Sequence, residues 1–310
     1  MASPFFKYTV FLQKYRTPIL ITSCSGVFAA KIFYHVFPDM SYRPLYQAWH
    51  KGQPAVLSDK LEDVFQQVLK DYGISSPSNY CAFASFGFHP VGAGVPWLPA
   101  GSQIGIPANF NSTPDDMGGI TNRSIFINGK TVDWDSDSGG ALREALVFSP
   151  EAVKFSIARE VARLQSGGPL LSAGVAPVCL GGVWVYSIFL KQIFGLYAGP
   201  VLLRGAVNIL ALGLGAVSYF MASDAVSQWV DYRSDKRAAG VSQEYAKGGV
   251  EFYNKILWRN RTLRSLMGQK GEEMYAPSGN LFPSNLLQLK HTPYTSRRDN
   301  ILSLLKKEKA

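Results

Sequence analysis

Two long uncharged segments stand out in the pattern of hydrophobic and polar positions. No charged side chain occurs in residues 164–190 or in residues 205–223. A helix needs about 20 apolar residues to cross a bilayer, and both segments are apolar around the whole helix rather than on one face. The pattern therefore predicts a transmembrane helical hairpin, with spans at residues 169–190 and 204–223.

A short turn joins the two predicted spans. Lys191 and Arg204 flank it, and Gly195, Gly199 and Pro200 interrupt helical structure between them. The turn is basic and contains no acidic residue. The extreme N-terminus is likewise basic and free of acidic residues. The positive-inside rule therefore predicts that the turn and the N-terminus lie on the same side of the membrane.

A third apolar segment, residues 17–37, follows a basic segment at residues 1–16. Lys31 interrupts the apolar run, but a long lysine side chain can reach a membrane interface, so we predict an N-terminal anchor helix here. The basic, acid-free and aromatic-rich N-terminus is typical of a mitochondrial inner-membrane signal anchor. A secretory signal anchor is the competing interpretation.

Helical periodicity also appears outside the apolar segments. An amphipathic helix is predicted over residues 58–72, and a second one over residues 149–165, capped by Ser149 with Pro150 in its first turn. Residues 224–258 are predicted to be helical, with a break near Gly248-Gly249, and residues 301–309 form a short basic helix.

Alternating patterns predict a few short strands. They fall at residues 102–106, 124–127 and 131–134, and Asn128-Gly129 is a strong signal for a hairpin turn between the last two. Residues 271–285 are rich in turn formers and are predicted to be a loop.

The fold class that these elements predict is an α+β membrane protein, mostly helical with a small β-sheet. Its predicted regions are a basic N-terminal segment, an anchor helix, a soluble α+β region, the transmembrane hairpin, and a soluble helical region that packs on the first soluble region. In that order they span residues 1–16, 17–37, 38–168, 169–223 and 224–310.

Composition agrees with membrane contact and argues against nucleic acid. Hydrophobic residues make up 47% of the chain and charged residues only 17%, whereas soluble domains average about 25% charged residues. The net charge of +9 is spread over the membrane flanks and a mixed-charge C-terminal region. No basic stripe interleaved with base-stacking aromatics appears, so nucleic acid is not an expected partner.

The helix at residues 149–165 carries a charged motif at its centre. Arg159, Glu160 and Arg163 occupy the frame of H-E-x-x-H, in which two histidines bind zinc and the glutamate activates water. Arginine stays protonated and offers no lone pair to a metal. Taken alone, charged pairs at this spacing are typical of a solvated helix face.

The order of the surrounding segments gives this motif more meaning. A glycine- and proline-rich turn with a strand precedes it, a membrane hairpin follows it, and then come Asp231 and Asp235 on a helix and a terminal segment that begins at His291. This order resembles the membrane-bound M48 zinc metallopeptidases. The resemblance implies a degenerate zincin-like scaffold, with Asp231 at the position of the third zinc ligand.

Both histidine ligands of that family are arginine here, so we predict a pseudoenzyme with no catalytic residue, no metal and no cofactor. Arg159, Glu160, Arg163, Asp231, Asp235 and His291 are then vestigial site positions. We expect Arg159 and Arg163 to pair with Asp231 and Asp235 and to hold the same helices together by charge. A metallopeptidase with unusual ligands is one alternative, and a lipid-interacting membrane protein is another.

Several longer phrases carry a second resemblance, one that covers the whole chain. They are Gly52-Gln53-Pro54-Ala55, Leu98-Pro99-Ala100-Gly101, Val132-Asp133-Trp134, Gly248-Gly249-Val250-Glu251-Phe252-Tyr253 and Pro293-Tyr294-Thr295. These phrases resemble the vertebrate transmembrane protein 177 family. The resemblance implies a mitochondrial inner-membrane factor that associates with the chaperone of newly made cytochrome c oxidase subunit II.

On this view the expected function is a non-catalytic scaffold for the biogenesis of that subunit, a component of complex IV. Its expected partners are membrane-embedded assembly factors, the new subunit itself and the lipid bilayer. The charge pattern predicts the N-terminus in the matrix, and residues 38–168 and 224–310 in the intermembrane space.

Overall fold

The structure is a computed structural model that describes residues 11, 14–113, 115–116, 118–121, 125–127, 129–283 and 292–307. Among the predicted features, His291, Ser124, Asn128 and most of the basic N-terminal segment lie outside the described residues. The described chain divides into two compact units. We call them the membrane unit (residues up to Phe33, and Leu170–Val226) and the core unit (Tyr34–Pro169, and from Ser227 onward).

The described helices, in chain order, are α1 (Arg16–Val36), α2 (Pro38–Tyr46), α3 (Asp59–Asp71), α4 (Gly118–Thr121), α5 (Asp137–Leu146), α6 (Pro150–Gln165), α7 (Gly168–Ile193), α8 (Val201–Ala239), α9 (Gln243–Met267), α10 (Gln269–Met274) and α11 (Tyr294–Lys307). The described strands are β1 (Trp49–His50), β2 (Gln53–Pro54), β3 (Tyr80–Ser85), β4 (Val91–Gly94), β5 (Ser102–Pro107), β6 (Phe126–Ile127) and β7 (Lys130–Thr131).

Three of these helices, α1, α7 and α8, are long and apolar enough to cross a membrane. Only 6–17% of the residues in their apolar windows are buried within the chain by itself, as expected for surfaces that face lipid or other helices. Together with the small sheet, they confirm the predicted fold class of an α+β membrane protein. Helix α8 does not end near residue 223 but continues to Ala239.

Polar contacts inside the membrane unit join its helices. Lys31 of α1 donates a hydrogen bond to the hydroxyl of Tyr219 on α8 at 2.6 Å, and its ammonium lies 4.8 Å from the centre of the Tyr219 ring. Ser187 of α7 donates to Asn208 of α8 at 2.8 Å. Lys31, which interrupts the apolar segment at residues 17–37, therefore has a specific partner on another span.

The sheet of the core unit has the strand order β3-β5-β4. Strand β5 pairs parallel with β3 and antiparallel with β4, with Ile104 opposite both Ala82 and Gly92. Every residue of β5 is buried, because this central strand is covered on both faces. The predicted strand at residues 102–106 is confirmed. The predicted hairpin appears as β6 and β7, with Ile127 opposite Lys130, but its second strand covers residues 130–131 rather than 131–134.

Helix α6 lies at the centre of the core unit. The hydroxyl of Ser149 accepts the N–H of Ala152 at 3.2 Å, which confirms the predicted N-cap. The carboxylate of Glu251 on α9 accepts both the Ser149 N–H at 3.0 Å and the Ser149 hydroxyl at 2.6 Å. Aromatic side chains of α6 and α9, including Phe155 and Phe252, fill the adjoining hydrophobic core.

The predicted break at Gly248-Gly249 is wrong, because α9 runs through both residues without interruption. A Cβ at Gly248 would collide with the backbone of Glu151, and one at Gly249 would lie 2.7 Å from the Phe155 ring. The two glycines therefore allow α9 to approach α6 closely. The cost of glycine in a helix, about 1 kcal/mol, is compensated by this packing.

Two further predictions near the C-terminus need correction. Residues 271–285 were expected to be a loop, but α10 extends to Met274, and Tyr275 forms a bridge with Leu281. Helix α11 begins at Tyr294 rather than at residue 301. Arg297 lies in the first turn of this helix and is buried.

Candidate functional site

The arginine motif of α6 lies in the interior of the core unit rather than on a solvated face. The side chains of Arg159, Glu160 and Arg163 are 14%, 5% and 23% exposed. Asp231 and Asp235 project from α8 one helical turn apart, so both can face the same neighbour. The structure brings these five predicted positions together.

Arg159 is the link between α6 and α8. Its Nη2 lies 2.9 Å from Oδ1 of Asp231, and its Nε lies 3.2 Å from Oδ1 of Asp235. Its Nη1 also lies 3.2 Å from Oε1 of the neighbouring Glu160. The Nε contact is an ion pair without hydrogen-bond geometry, and that nitrogen has no other hydrogen-bond partner among the described residues.

Arg163 has different partners from those expected. Its Nε donates to Oε2 of Glu160 at 2.8 Å, and its Nη2 donates to the carbonyl of Gly92 on β4. No described carboxylate of α8 lies within ion-pair distance of Arg163. Residues three apart on one helix are neighbours, so Glu160 is the nearer carboxylate. Arg163 therefore ties α6 to the sheet, whereas Arg159 ties it to α8.

Arg297 of α11 completes the cluster, and the sequence did not predict this role. Its Nε and Nη2 donate to the two oxygens of Asp235 at 2.6 and 2.7 Å, a two-pronged arrangement that suits a guanidinium. Its Nη1 lies 3.2 Å from Oδ2 of Asp231. The hydroxyl of Tyr253 on α9 donates to Oδ1 of Asp235 at 2.7 Å, so Asp235 connects α8 to three other helices.

Burial and charge set the electrostatics of this ionic cluster, which consists of Arg159, Glu160, Arg163, Asp231, Asp235, Tyr253 and Arg297. Burial alone would lower the pKa of each arginine, but the neighbouring carboxylates and Tyr253 raise the pKa of Arg159 well above its ordinary value. The pKa values of Arg163 and Arg297 are raised as well. Burial also holds the pKa of Tyr253 well above its ordinary value, so its hydroxyl stays protonated and donates.

The charged groups of the ionic cluster connect neighbouring helices, so we also call it the ionic clamp. Three guanidiniums face three carboxylates, and Asp231 and Asp235 each contact two of the arginines. Guanidinium groups cannot bind a metal ion, because they offer no lone pair. No group of three or more His, Cys, Asp or Glu side chains that could hold a metal occurs among the described residues.

The chain is similar to known proteins over almost its whole length. It is 69% identical to transmembrane protein 177 of Danio rerio over 99% of both chains. It is 54% identical to that of Xenopus laevis over 98% of this chain and 99% of the relative, and 45% identical to that of Homo sapiens over 98% and 97%. No model of a protein family matches the chain, and no solved structure is similar to it. The peptidase resemblance thus stays a prediction, whereas the full-length relatives show that the chain belongs to the transmembrane protein 177 family.

Proposed function

We propose that this membrane protein is a non-catalytic scaffold of the mitochondrial inner membrane. It supports the biogenesis of cytochrome c oxidase subunit II by binding and stabilising the chaperone of that subunit. The oxidase role, the mitochondrial location and the chaperone come from the family resemblance carried by the phrases quoted above. In this proposal the N-terminus lies in the matrix, and residues 38–168 and 224–310 lie in the intermembrane space. The basic, acid-free N-terminus and hairpin turn favour this orientation.

The observation that carries the non-catalytic part of the proposal is the ionic clamp. Arg159 and Arg163 occupy the positions at which a zinc peptidase needs two imidazoles. Both arginines form ion pairs with carboxylates. The carboxylates themselves are held by arginines, so a metal would have to displace a guanidinium to reach Asp231. A degenerate peptidase scaffold, held together by charge, fits this arrangement.

The glycines of the spans support a scaffolding role within the membrane. In α7, a Cβ added at Gly174, Gly181 or Gly182 would meet no described atom within 4 Å, so these faces are open to other helices. Gly215 of α8 differs, because a Cβ there would collide with Val183 of α7. Glycines that allow close approach are typical of helix–helix contacts in membranes. The open glycines thus favour contact with partner spans.

Replacement in cells that lack the endogenous protein tests the proposal. Tagged wild-type protein is expected to co-purify with the chaperone after crosslinking and to lengthen the lifetime of pulse-labelled subunit II. Gly181→Ile with Gly182→Ile should weaken both effects severalfold, while Val178→Leu on the same exposed helix should change neither. A subunit II lifetime that is the same with and without the wild-type protein would refute the role.

A second experiment addresses catalysis and topology. Purified full-length protein is expected to contain far less than stoichiometric zinc and to leave a set of unfolded substrates uncut. Stoichiometric zinc that is lost on Asp231→Asn would revive the metallopeptidase alternative.

The topology is tested by protease protection of tags at the two termini. The N-terminal tag should be protected both in intact mitochondria and in mitoplasts. The C-terminal tag should be protected in intact mitochondria and cleaved in mitoplasts.

A further inference from the structure

Beyond the ionic clamp, a cavity of about 740 Å³ lies between the second half of α8 and α11. Its α8 wall includes Trp229, Arg233, Lys236 and Arg237. These residues recur at the helical spacing that puts them on one face, and all of them are exposed. The cavity is large enough for a small molecule or a lipid headgroup.

The charge of this cavity is positive. Among the described residues, no carboxylate lies within ion-pair distance of Arg233, Lys236 or Arg237, although Arg237 is hydrogen-bonded to Tyr72. Asp235 also lines the cavity, but Arg297 neutralises its carboxylate. An occupant with a negative charge is therefore complementary to the site.

The aromatic residues of the cavity indicate a membrane interface. Trp229 is 47% exposed, and the guanidinium of Arg233 lies 4.7 Å from the centre of its ring. Tryptophan and tyrosine are enriched at the headgroup level, because their side chains combine an apolar ring with a polar group that stays hydrated. Tyr232 lines the same cavity.

The position along α8 agrees with this interpretation. Asp224 is the first charged residue after the apolar residues 205–223, and Trp229 follows it by roughly 8 Å at about 1.5 Å per residue. Helical side chains tilt toward the N-terminus, which for α8 is the apolar end. A polar headgroup region adds about 5–8 Å to each face of the hydrocarbon core, so Trp229 lies near that level and the long side chain of Arg233 extends back toward it. Lys236 lies one turn farther along the same face of α8.

From these observations we infer that the cavity between α8 and α11 binds the phosphate headgroup of an anionic phospholipid. Arg233 and Lys236 supply the charge for the phosphate, and Trp229 packs beside the glycerol and the first methylenes. Basic residues near a membrane surface attract anionic lipid, so the pair should give a clear lipid preference. This site does not depend on the proposed scaffold function.

The test uses full-length protein in micelles of an uncharged detergent, with phosphatidylglycerol and phosphatidylcholine of the same acyl chains as probes. Native mass spectrometry measures the apparent Kd of each lipid. The wild-type protein should bind phosphatidylglycerol roughly tenfold or more tightly. Arg233→Gln with Lys236→Gln should abolish most of that preference.

A matched control removes two exposed lysines of the core unit outside the cavity, by Lys247→Gln with Lys270→Gln. This control should keep the preference, and equal losses in the two double variants would refute a defined site. Displacement of the lipid by millimolar glycerol phosphate would identify a soluble-phosphate site and overturn the lipid assignment. Arg233→Lys with Lys236→Arg keeps both charges and should keep the preference for phosphatidylglycerol. This variant distinguishes loss of lipid binding from loss of folding. Loss of the preference in this variant, while it remains folded, would also count against the site.

Discussion

In the membrane unit, polar side chains meet in separate pairs, such as Lys31 with Tyr219 and Ser187 with Asn208. In the core unit, three arginines and three carboxylates share one buried cluster. A polar group in a membrane helix can find another partner or an interface when its own partner is removed, so single contacts there contribute little. A buried charge in the core unit has no such alternative, and the loss of one partner should be costly.

The largest effect is expected at Arg297, whose side chain is only 4% exposed. Arg297→Ala leaves Asp235 and Asp231 short of positive charge in a buried site and should lower the free energy of unfolding by about 3–5 kcal/mol. Thermal unfolding in detergent measures the loss. Arg298→Ala is the matched control, because Arg298 pairs with Asp299 on the surface and should contribute less than about 1 kcal/mol. Equal effects would show that the cluster is not what stabilises the core unit.

A smaller effect is expected at the contact between α6 and α9. Gly249→Ala forces a methyl group against the Phe155 ring and should destabilise the protein by about 1–3 kcal/mol. Gly140→Ala on α5 is the control, since no described atom lies within 4 Å of the added Cβ. That change should be neutral or stabilise by up to about 1 kcal/mol. The difference between the two unfolding midpoints measures the packing, and a neutral Gly249→Ala would contradict it.

The smallest effect is expected in the membrane unit. Tyr219→Phe removes the acceptor of Lys31 but keeps the ring beneath its ammonium. Hydrogen bonds between membrane helices average about 0.6 kcal/mol, so the unfolding midpoint should hardly move. A loss as large as that of Arg297→Ala would erase the distinction between the two units.

The sequence predicted what local chemistry determines. The three apolar helices follow from length and hydrophobicity, and α6 follows from its cap and its periodicity. The motif frame on α6 also led to the pairing of Arg159 with Asp231, although 72 residues separate them. Most of the predictions that failed depended on tertiary contacts. Gly248 and Gly249 looked like a helix break because their close neighbours lie on another helix.

The site was incomplete for the same reason. Arg297 and Tyr253 reach the cluster from α11 and α9, and no local pattern marks them as partners of Asp235. Arg297 does lie in the terminal segment after His291 that the peptidase resemblance includes, but that segment by itself does not point to Asp235. Arg163 took Glu160 on its own helix, a pairing that the i to i+3 spacing alone could have indicated.

A double-mutant cycle on Arg159 and Asp231 tests most directly whether charge holds α6 and α8 together. The free energy of unfolding is measured for Arg159→Gln, Asp231→Asn, the double variant and the wild type, with Arg163→Gln and Asp231→Asn as the control cycle. The clamp predicts a coupling energy above about 1 kcal/mol for the first cycle and a smaller one for the second. Additive effects within about 0.5 kcal/mol in the first cycle would contradict it.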